Sequence, residues 1–157
     1  MSDIIIREAT RLDFAKLHDA DLKIFDDVWD LKSWKDRVTE DRIIYIASWG
    51  VIVVGFAACV ILRDGIFIEK IGVKRKFRRQ GVSRDLMLAA HHRAQTRKFP
   101  NIMSITIPET FLGHPGAPGD VTRWVEKVNF KAKPPLHKDY FYINGATIDG
   151  VPCLFEG

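Results

Sequence analysis

Cysteine is scarce in this sequence. Of 157 residues only Cys59 and Cys153 carry a thiol, far apart and with no histidine nearby at metal-ligand spacing. That argues against a disulfide scaffold and against a resident metal, and Cys59, set in an apolar run, reads as a buried reduced thiol. No leader-like stretch opens the chain: MSDIIIREATRLDF turns charged after three isoleucines. The expectation is a cytoplasmic protein in a reducing setting. Internal repeats, linkers and low-complexity segments are also lacking, which leaves one domain, 1–157. The longest uncharged run, 43–62 (IIYIASWGVIVVGFAACVIL), has the length of a bilayer span. It is interrupted by Ser48, Trp49 and Gly50 and is rich in β-branched and aromatic residues. Two buried strands joined by a tight turn are expected there, and no membrane partner.

What is present fits a globular α/β protein. A mass of 18.0 kDa, with 46% hydrophobic and 28% charged residues, allows a sizeable core. Residues 4–6 read as a first strand. Thr10 caps a helix, with Asp13 three residues on to complement its positive end and Phe14, Leu17 and Ile24 along one face. Asp30 caps a shorter helix, in which Leu31, Trp34 and Val38 are spaced for one buried stripe. After the turn Arg63-Asp64-Gly65, residues 66–73 form a further strand. A helix follows over 82–98, with Val82, Leu86, Ala90 and Ala94 on one side, and Phe99-Pro100 ends it. Residues 102–107 alternate as a strand, and 108–120 read as loop. Asp120 caps a helix bearing Val121, Trp124, Val125 and Val128, and Asn129 suits its left-handed exit. Strands 140–143 and 151–155 close the chain, with turns at Asn144-Gly145 and Asp149-Gly150. Pro152 predicts an edge position for the last strand.

Net charge is a modest +4, but residues 74–84, KRKFRRQGVSR, gather six cations around one glycine. The context is strand, short loop, long helix. A helix beginning near Val82 directs its first N–H groups, at the positive end of its dipole, toward the loop. Gly81 lets an anion approach those amides, and Arg78 and Arg79 add charge beside them. The arrangement suits a pyrophosphate better than a duplex, whose reader would spread its cations along a face. The residues alone leave a second reading open, a solvated basic loop.

The stretch IGVKRKFRRQGVSRDLM resembles the acetyl-CoA signature of the GCN5-related N-acetyltransferases (GNAT), a strand ending in valine and then Arg/Gln-x-x-Gly-x-Gly/Ala opening a helix. Arg78, Gly81 and Ser83 fall on the three motif positions, Ser83 in place of the usual glycine or alanine. IIIREATRLDFAKL is similar to the family's first strand and helix, VIVVGFAACVIL to its third strand, and TRWVEKVNF to its late helix. In flavour the chain is most similar to protein N-terminal acetyltransferases of the ribosomal-protein alanine type: IFDDVWDLKSW resembles the acceptor-side helices of enzymes that modify protein N-termini, that type included, and KRKFRRQG is similar to eukaryotic and archaeal N-terminal acetyltransferases.

The resemblance implies a single-domain mixed α+β fold. Its sheet would be mostly antiparallel, with two central parallel strands splayed apart and helices flanking it. It implies acetyl-CoA as cosubstrate and an amine acceptor, with no metal. The pyrophosphate would rest on Arg78, Arg79, Gln80, Gly81, Val82, Ser83 and Arg84, and the pantetheine arm along Ile71, Gly72 and Val73. The Val73 amide would polarise the thioester carbonyl. Glu69 is the candidate base acting through water, its bland alternative being an ion pair with Lys70 or Arg63. The family's acidic tyrosine is replaced by Val125, and Pro118 falls near the place of its asparagine, so Tyr140 becomes the candidate acid, with Tyr142 beside it. Phe25, Asp26, Asp27 and Trp29 would line the acceptor entrance. The plain reading of those residues is core for the tryptophan and solvent for the aspartates. His114 in the glycine-proline loop is a candidate gate. Two other function classes remain beside the enzyme: a regulatory module that binds CoA without efficient chemistry, and a nucleic-acid-binding or -modifying protein.

Overall fold

Residues 3–25, 28–37, 39, 41–63, 65–96, 102–108, 113–114, 117–118, 127–133, 135–143 and 145–155 are described by the computed structural model of the protein. They divide into two units, Met1–Asn101 and Ile102–Gly157.

In the first unit β1 (Ile4–Glu8) leads through a single 3-10 turn into α1 (Phe14–Ile24) and then α2 (Leu31–Lys35). The entry to α1 is fixed by short-range chemistry. Thr10 Oγ1 accepts the Leu12 N–H at 3.3 Å, and the Asp13 carboxylate accepts the Thr10 N–H at 2.8 Å. Arg7 grips the same carboxylate with two bonds, at 2.7 and 2.8 Å, which ties β1 to the helix. At α2 the Asp30 side chain accepts the Ser33 N–H at 2.7 Å, as its sequence position predicts. Trp34 is buried there, whereas Leu31 is exposed, so the expected stripe is narrower than its spacing implies; Val38 lies outside the described residues.

Three strands follow, β2 (Arg42–Trp49), β3 (Ile52–Leu62) and β4 (Gly65–Val73), each antiparallel to its predecessor, with β1 outside β2. The uncharged run is therefore a hairpin. Its turn is Gly50-Val51, not Ser48-Trp49-Gly50: Ser48 and Trp49 still pair with Val53 and Ile52, and Gly50 alone takes the left-handed conformation (φ 58°). Residues 53–59 are all buried, which requires cover on both faces of β3. Phe14, Leu17, Ala20 and Trp34 cover the face that carries Phe56 and Ala58. The final helix of the unit, α3 (Val82–Thr96), packs across β1 to β4 and buries Val82, Leu86, Met87 and Ala90.

The second unit comprises β5 (Ile102–Pro108), β6 (Gly113–His114), β7 (Ala117–Pro118), β8 (Phe130–Ala132), β9 (His137–Ile143) and β10 (Ala146–Phe155). Within the expected loop 108–120, β6 and β7 form a two-residue ladder. The helix expected after Asp120 lies almost wholly outside the described residues; Asn129 is left-handed (φ 62°), as its place predicted. Asp149-Gly150 is not a turn: β10 runs straight through it, with a bulge between Ile148 and Gly150 that absorbs the irregularity. Nor is Pro152 on an edge. β10 pairs with β5 on one side and, on the other, with β9 up to Gly150 and with β8 from Cys153 onward. Pro152 stands where the partner changes. Its carbonyl accepts the Lys133 N–H at 2.8 Å just past the end of β8, and the reciprocal bond that proline cannot donate falls where that ladder stops.

Candidate functional site

The basic stretch folds into a short connection between β4 and α3. Lys74 donates its N–H to the Val54 carbonyl at 2.7 Å, a 3-10 turn spans Arg75–Phe77, and the chain then passes through two left-handed residues, Arg79 (φ 63°) and Gly81 (φ 81°). Gly81 accepts the Asp85 N–H at 3.0 Å and so caps α3. The first-turn amides of this 15-residue helix are aimed at the loop. A Cβ on Gly81 would meet nothing within 4 Å, so backbone conformation, not crowding, selects glycine here. Left-handed residues alternating with right-handed or extended ones turn their N–H groups to a common concave side, a nest for an anion. Arg79 adopts a conformation uncommon for a residue with a side chain, which marks the loop as specially shaped. Arg78, expected to add charge beside these amides, also donates its Nε to the Val73 carbonyl at 2.8 Å and straps the loop to the end of β4.

That end of β4 has a defined polarity. Because the Lys74 N–H points to β3, the N–H and carbonyl of Val73 point away from it, and those of Ile71 do the same. The Arg78 contact to the Val73 oxygen agrees. Gly72 faces α1, where an added Cβ would come within 2.5 Å of Phe25 Cε2. The residues expected for the pantetheine arm and the acceptor entrance thus meet at Gly72 and Phe25.

Three residues before Gly72, β4 carries a surplus. Ile68 pairs with Cys59 and Lys70 with Ala58, which leaves Glu69 as the extra residue of a bulge. A plain strand would send Glu69 and Lys70 to opposite faces; the bulge brings both to the side of α1 and α2. Lys70 donates to Asp21 at 2.7 Å, an ion pair in which Asp21 is fully buried. Glu69 accepts from Arg37 at 3.4 Å, so its ionic partner is neither Lys70 nor Arg63. The remaining carboxylate oxygen, Oε1, is buried with no partner among the described residues, and a donor can still claim it. Burial, followed by the nearby Glu69 charge, pushes the Cys59 thiol up to about 12, so this cysteine is chemically inert.

Aromatic rings fill the space between these pairs. The Arg37 guanidinium lies 3.6 Å from the centre of the Trp29 ring, and the Lys70 ammonium stands 4.7 Å from Phe25 and 4.8 Å from Trp29. Trp29 meets Trp34 at 4.9 Å, and Trp34 meets Phe56 edge-on at 5.0 Å. Phe25 and Trp29 are only half-buried, whereas Trp34 is core. Asp26 and Asp27 lie outside the described residues. Sequence reading missed Asp21, Arg37 and Lys70. For Asp21 a signal exists: it continues the buried stripe of Phe14 and Leu17, where an acidic residue demands a partner. Arg37 carries no such mark.

In the second unit Tyr140 is exposed on β9, its ring 4.9 Å from Phe141 and 5.4 Å from His137. Tyr142 is more exposed still. Val125 and the His114 side chain lie outside the described residues. A hollow of about 420 Å³ lined by Glu8, Asp41, Arg42 and Arg93 sits at the opposite end of β2 and β3 from the glycine loop. It has no part in the constellation above.

No curated protein matches the chain by sequence. Among solved structures, the ribosomal-protein-S18-alanine N-acetyltransferase from Escherichia coli superposes with a TM-score of 0.79 at 13% identity, over 97% of this chain and 92% of that one. NAA60 of Arabidopsis thaliana, solved in complex with acetyl-CoA, gives 0.79 at 14% identity over 97% of each chain. Ard1 from Thermoplasma volcanium gives 0.77 at 16% identity, over 98% of this chain and 99% of that one. These likenesses establish the mixed α+β fold. The family model of the acetyltransferase (GNAT) family matches residues 7–112, a span that runs from β1 past the glycine loop and β5. The chain belongs to the acetyltransferase (GNAT) family.

Proposed function

We propose that this protein transfers the acetyl group of acetyl-CoA to a primary amine of a peptide, a protein or a small molecule, the whole chain 1–157 acting as one N-acetyltransferase domain. The observation that carries the reading is the pair of left-handed residues Arg79 and Gly81 at the mouth of α3, which suits one anion at one point of the backbone. Ile71 and Val73 turn backbone groups away from β3, where the pantetheine arm can pair with them. The Val73 N–H polarises the thioester carbonyl. The neutral amine attacks that carbon, the C–S bond breaks, and the sulfur departs as the thiolate of CoA. Glu69, acting through water, takes the amine proton, with Arg37 fixing the orientation of its carboxylate. Tyr140 is the proposed donor to the thiolate. Phe25 and Trp29, with Asp26 and Asp27 between them in the chain, form the acceptor side.

Among the described residues no helix is long and apolar enough to cross a membrane. The two free, buried cysteines fit a reducing compartment, and we read the protein as cytoplasmic. Calorimetric titration with acetyl-CoA and with desulfo-CoA tests the reading: both bind, and no heat at micromolar ligand removes it. Release of free thiol in the presence of an amine panel separates an enzyme from a CoA-binding module. DNA affinity that falls steeply with salt, without CoA affinity, would instead favour a nucleic-acid protein.

A further inference from the structure

We infer that Asp21 is a positioning residue for the acceptor, acting through Trp29 and held in place by Lys70. The inference rests on the acetyl-transfer reading, takes a peptide N-terminus as the acceptor, and concerns the acceptor side alone. Asp21 is fully buried, and its two carboxylate oxygens do different things. Oδ1 takes the Lys70 ammonium at 2.7 Å, which fastens α1 to the bulge of β4. Oδ2 takes the backbone N–H of Trp29 at 3.0 Å, eight residues further along the chain. The Asp21 carbonyl also accepts the Phe25 N–H at 2.9 Å. One residue therefore pins both ends of the segment that begins at Phe25 and finishes at Trp29, two half-buried rings that flank the Lys70 ammonium, Phe25 lying against Gly72.

The energetic logic is one-sided. A buried carboxylate needs its counter-charge, and a buried ion pair is poor evidence of stability, because apolar residues of similar volume do as well or better. An N–H acceptor at a chosen point of a loop is something apolar residues cannot supply. The charge on Asp21 strengthens that bond, and Lys70 makes the charge tolerable. The Lys70 ammonium also faces the Phe25 and Trp29 rings.

Two double variants separate positioning from mere folding, since neither leaves a buried charge. Asp21→Asn with Lys70→Met keeps an oxygen for the Trp29 N–H, whereas Asp21→Leu with Lys70→Met removes it. Each is measured against a pooled panel of peptides with free N-termini, turnover being read as CoA thiol, beside acetyl-CoA titration and amide hydrogen exchange at Trp29. The expected result is an acceptor KM within about threefold of wild type for the Asn/Met protein. For the Leu/Met protein it is at least tenfold higher, with faster exchange at Trp29 and acetyl-CoA affinity unchanged. Equal KM values and equal Trp29 exchange in the two doubles overturn the inference while leaving the acetyl-transfer reading intact. Wild-type protein that binds acetyl-CoA but acetylates nothing in the panel overturns the peptide-acceptor premise and the inference with it. Failure to bind acetyl-CoA removes the parent reading itself.

Discussion

Replacing Gly81 by alanine isolates the anion nest from the rest of the molecule. An added methyl group meets no atom within 4 Å, so packing contributes nothing to the outcome. What changes is the backbone, since φ of 81° lies in the region that L side chains avoid. Holding alanine there costs about 1–2 kcal/mol. For a domain of this size that corresponds to a fall in Tm of roughly 2–8 °C. If the chain relaxes instead, the loop amides rotate off the nest. Each charge-assisted hydrogen bond lost from a phosphate is worth about 1.5–3 kcal/mol, so acetyl-CoA affinity should drop by about 10- to 100-fold. Gly50→Ala is the control: its φ is 58°, it too has open space around it, and it belongs to the β2–β3 turn. It should lose a comparable Tm and no affinity. Thermal melts and acetyl-CoA calorimetry on the two variants give the answer. A Gly81→Ala protein that melts lower yet binds acetyl-CoA within twofold of wild type refutes the assignment of these amides to the diphosphate.

Further outcomes follow from the same geometry. Glu69→Gln should lower kcat by about 10²- to 10⁴-fold and leave acetyl-CoA affinity intact; an unchanged kcat across pH removes Glu69 as the base. Gly72→Ala drives a methyl group to 2.5 Å from Phe25 Cε2, which should cost about 1–3 kcal/mol and raise the acceptor KM through displacement of the ring, as melts and steady-state kinetics would reveal. The hydrogen bond and charge of Arg7, opposed by burial and helped by Thr10, hold the Asp13 carboxyl below its usual 3.8, at about 2. Because the folded-state value is depressed, the stabilisation, about 2 kcal/mol at most, is present above pH 4 and lost as pH falls from 4 toward 2. Asp13→Asn should therefore be destabilised at pH 7 and close to wild type near pH 2 in urea titrations.

Local chemistry was legible in the sequence wherever one or two residues decide the backbone. Thr10 with Asp13, Asp30 with Ser33 and the left-handed Asn129 all behave as their side chains dictate, and the glycine loop follows from strand, glycine and helix in succession. Features set by the partner strand were not legible. The bulge at Glu69 depends on a one-residue mismatch with β3, invisible along β4 itself, and without it strict alternation assigns Glu69 and Lys70 to different faces. The same cause hid the passage of β10 through Asp149-Gly150, a sequence that reads as a turn until β5 and β9 hold it extended. Pro152 misled in a related way, because a proline can also stand inside a sheet where a partner strand ends. The Asp21 pair was half legible, a charge in an apolar stripe whose partner lies 49 residues away.

A catalyst that acylates amines also carries amines of its own. Lys70 sits three positions upstream of the Val73 amide proposed to activate the thioester. Its nitrogen has no lone pair to offer while it stays an ammonium clasped by Asp21, and the flanking rings leave it little room to turn. For as long as the ion pair holds, the clasp thus withholds this nitrogen as a nucleophile as well as fixing the helix to the strand.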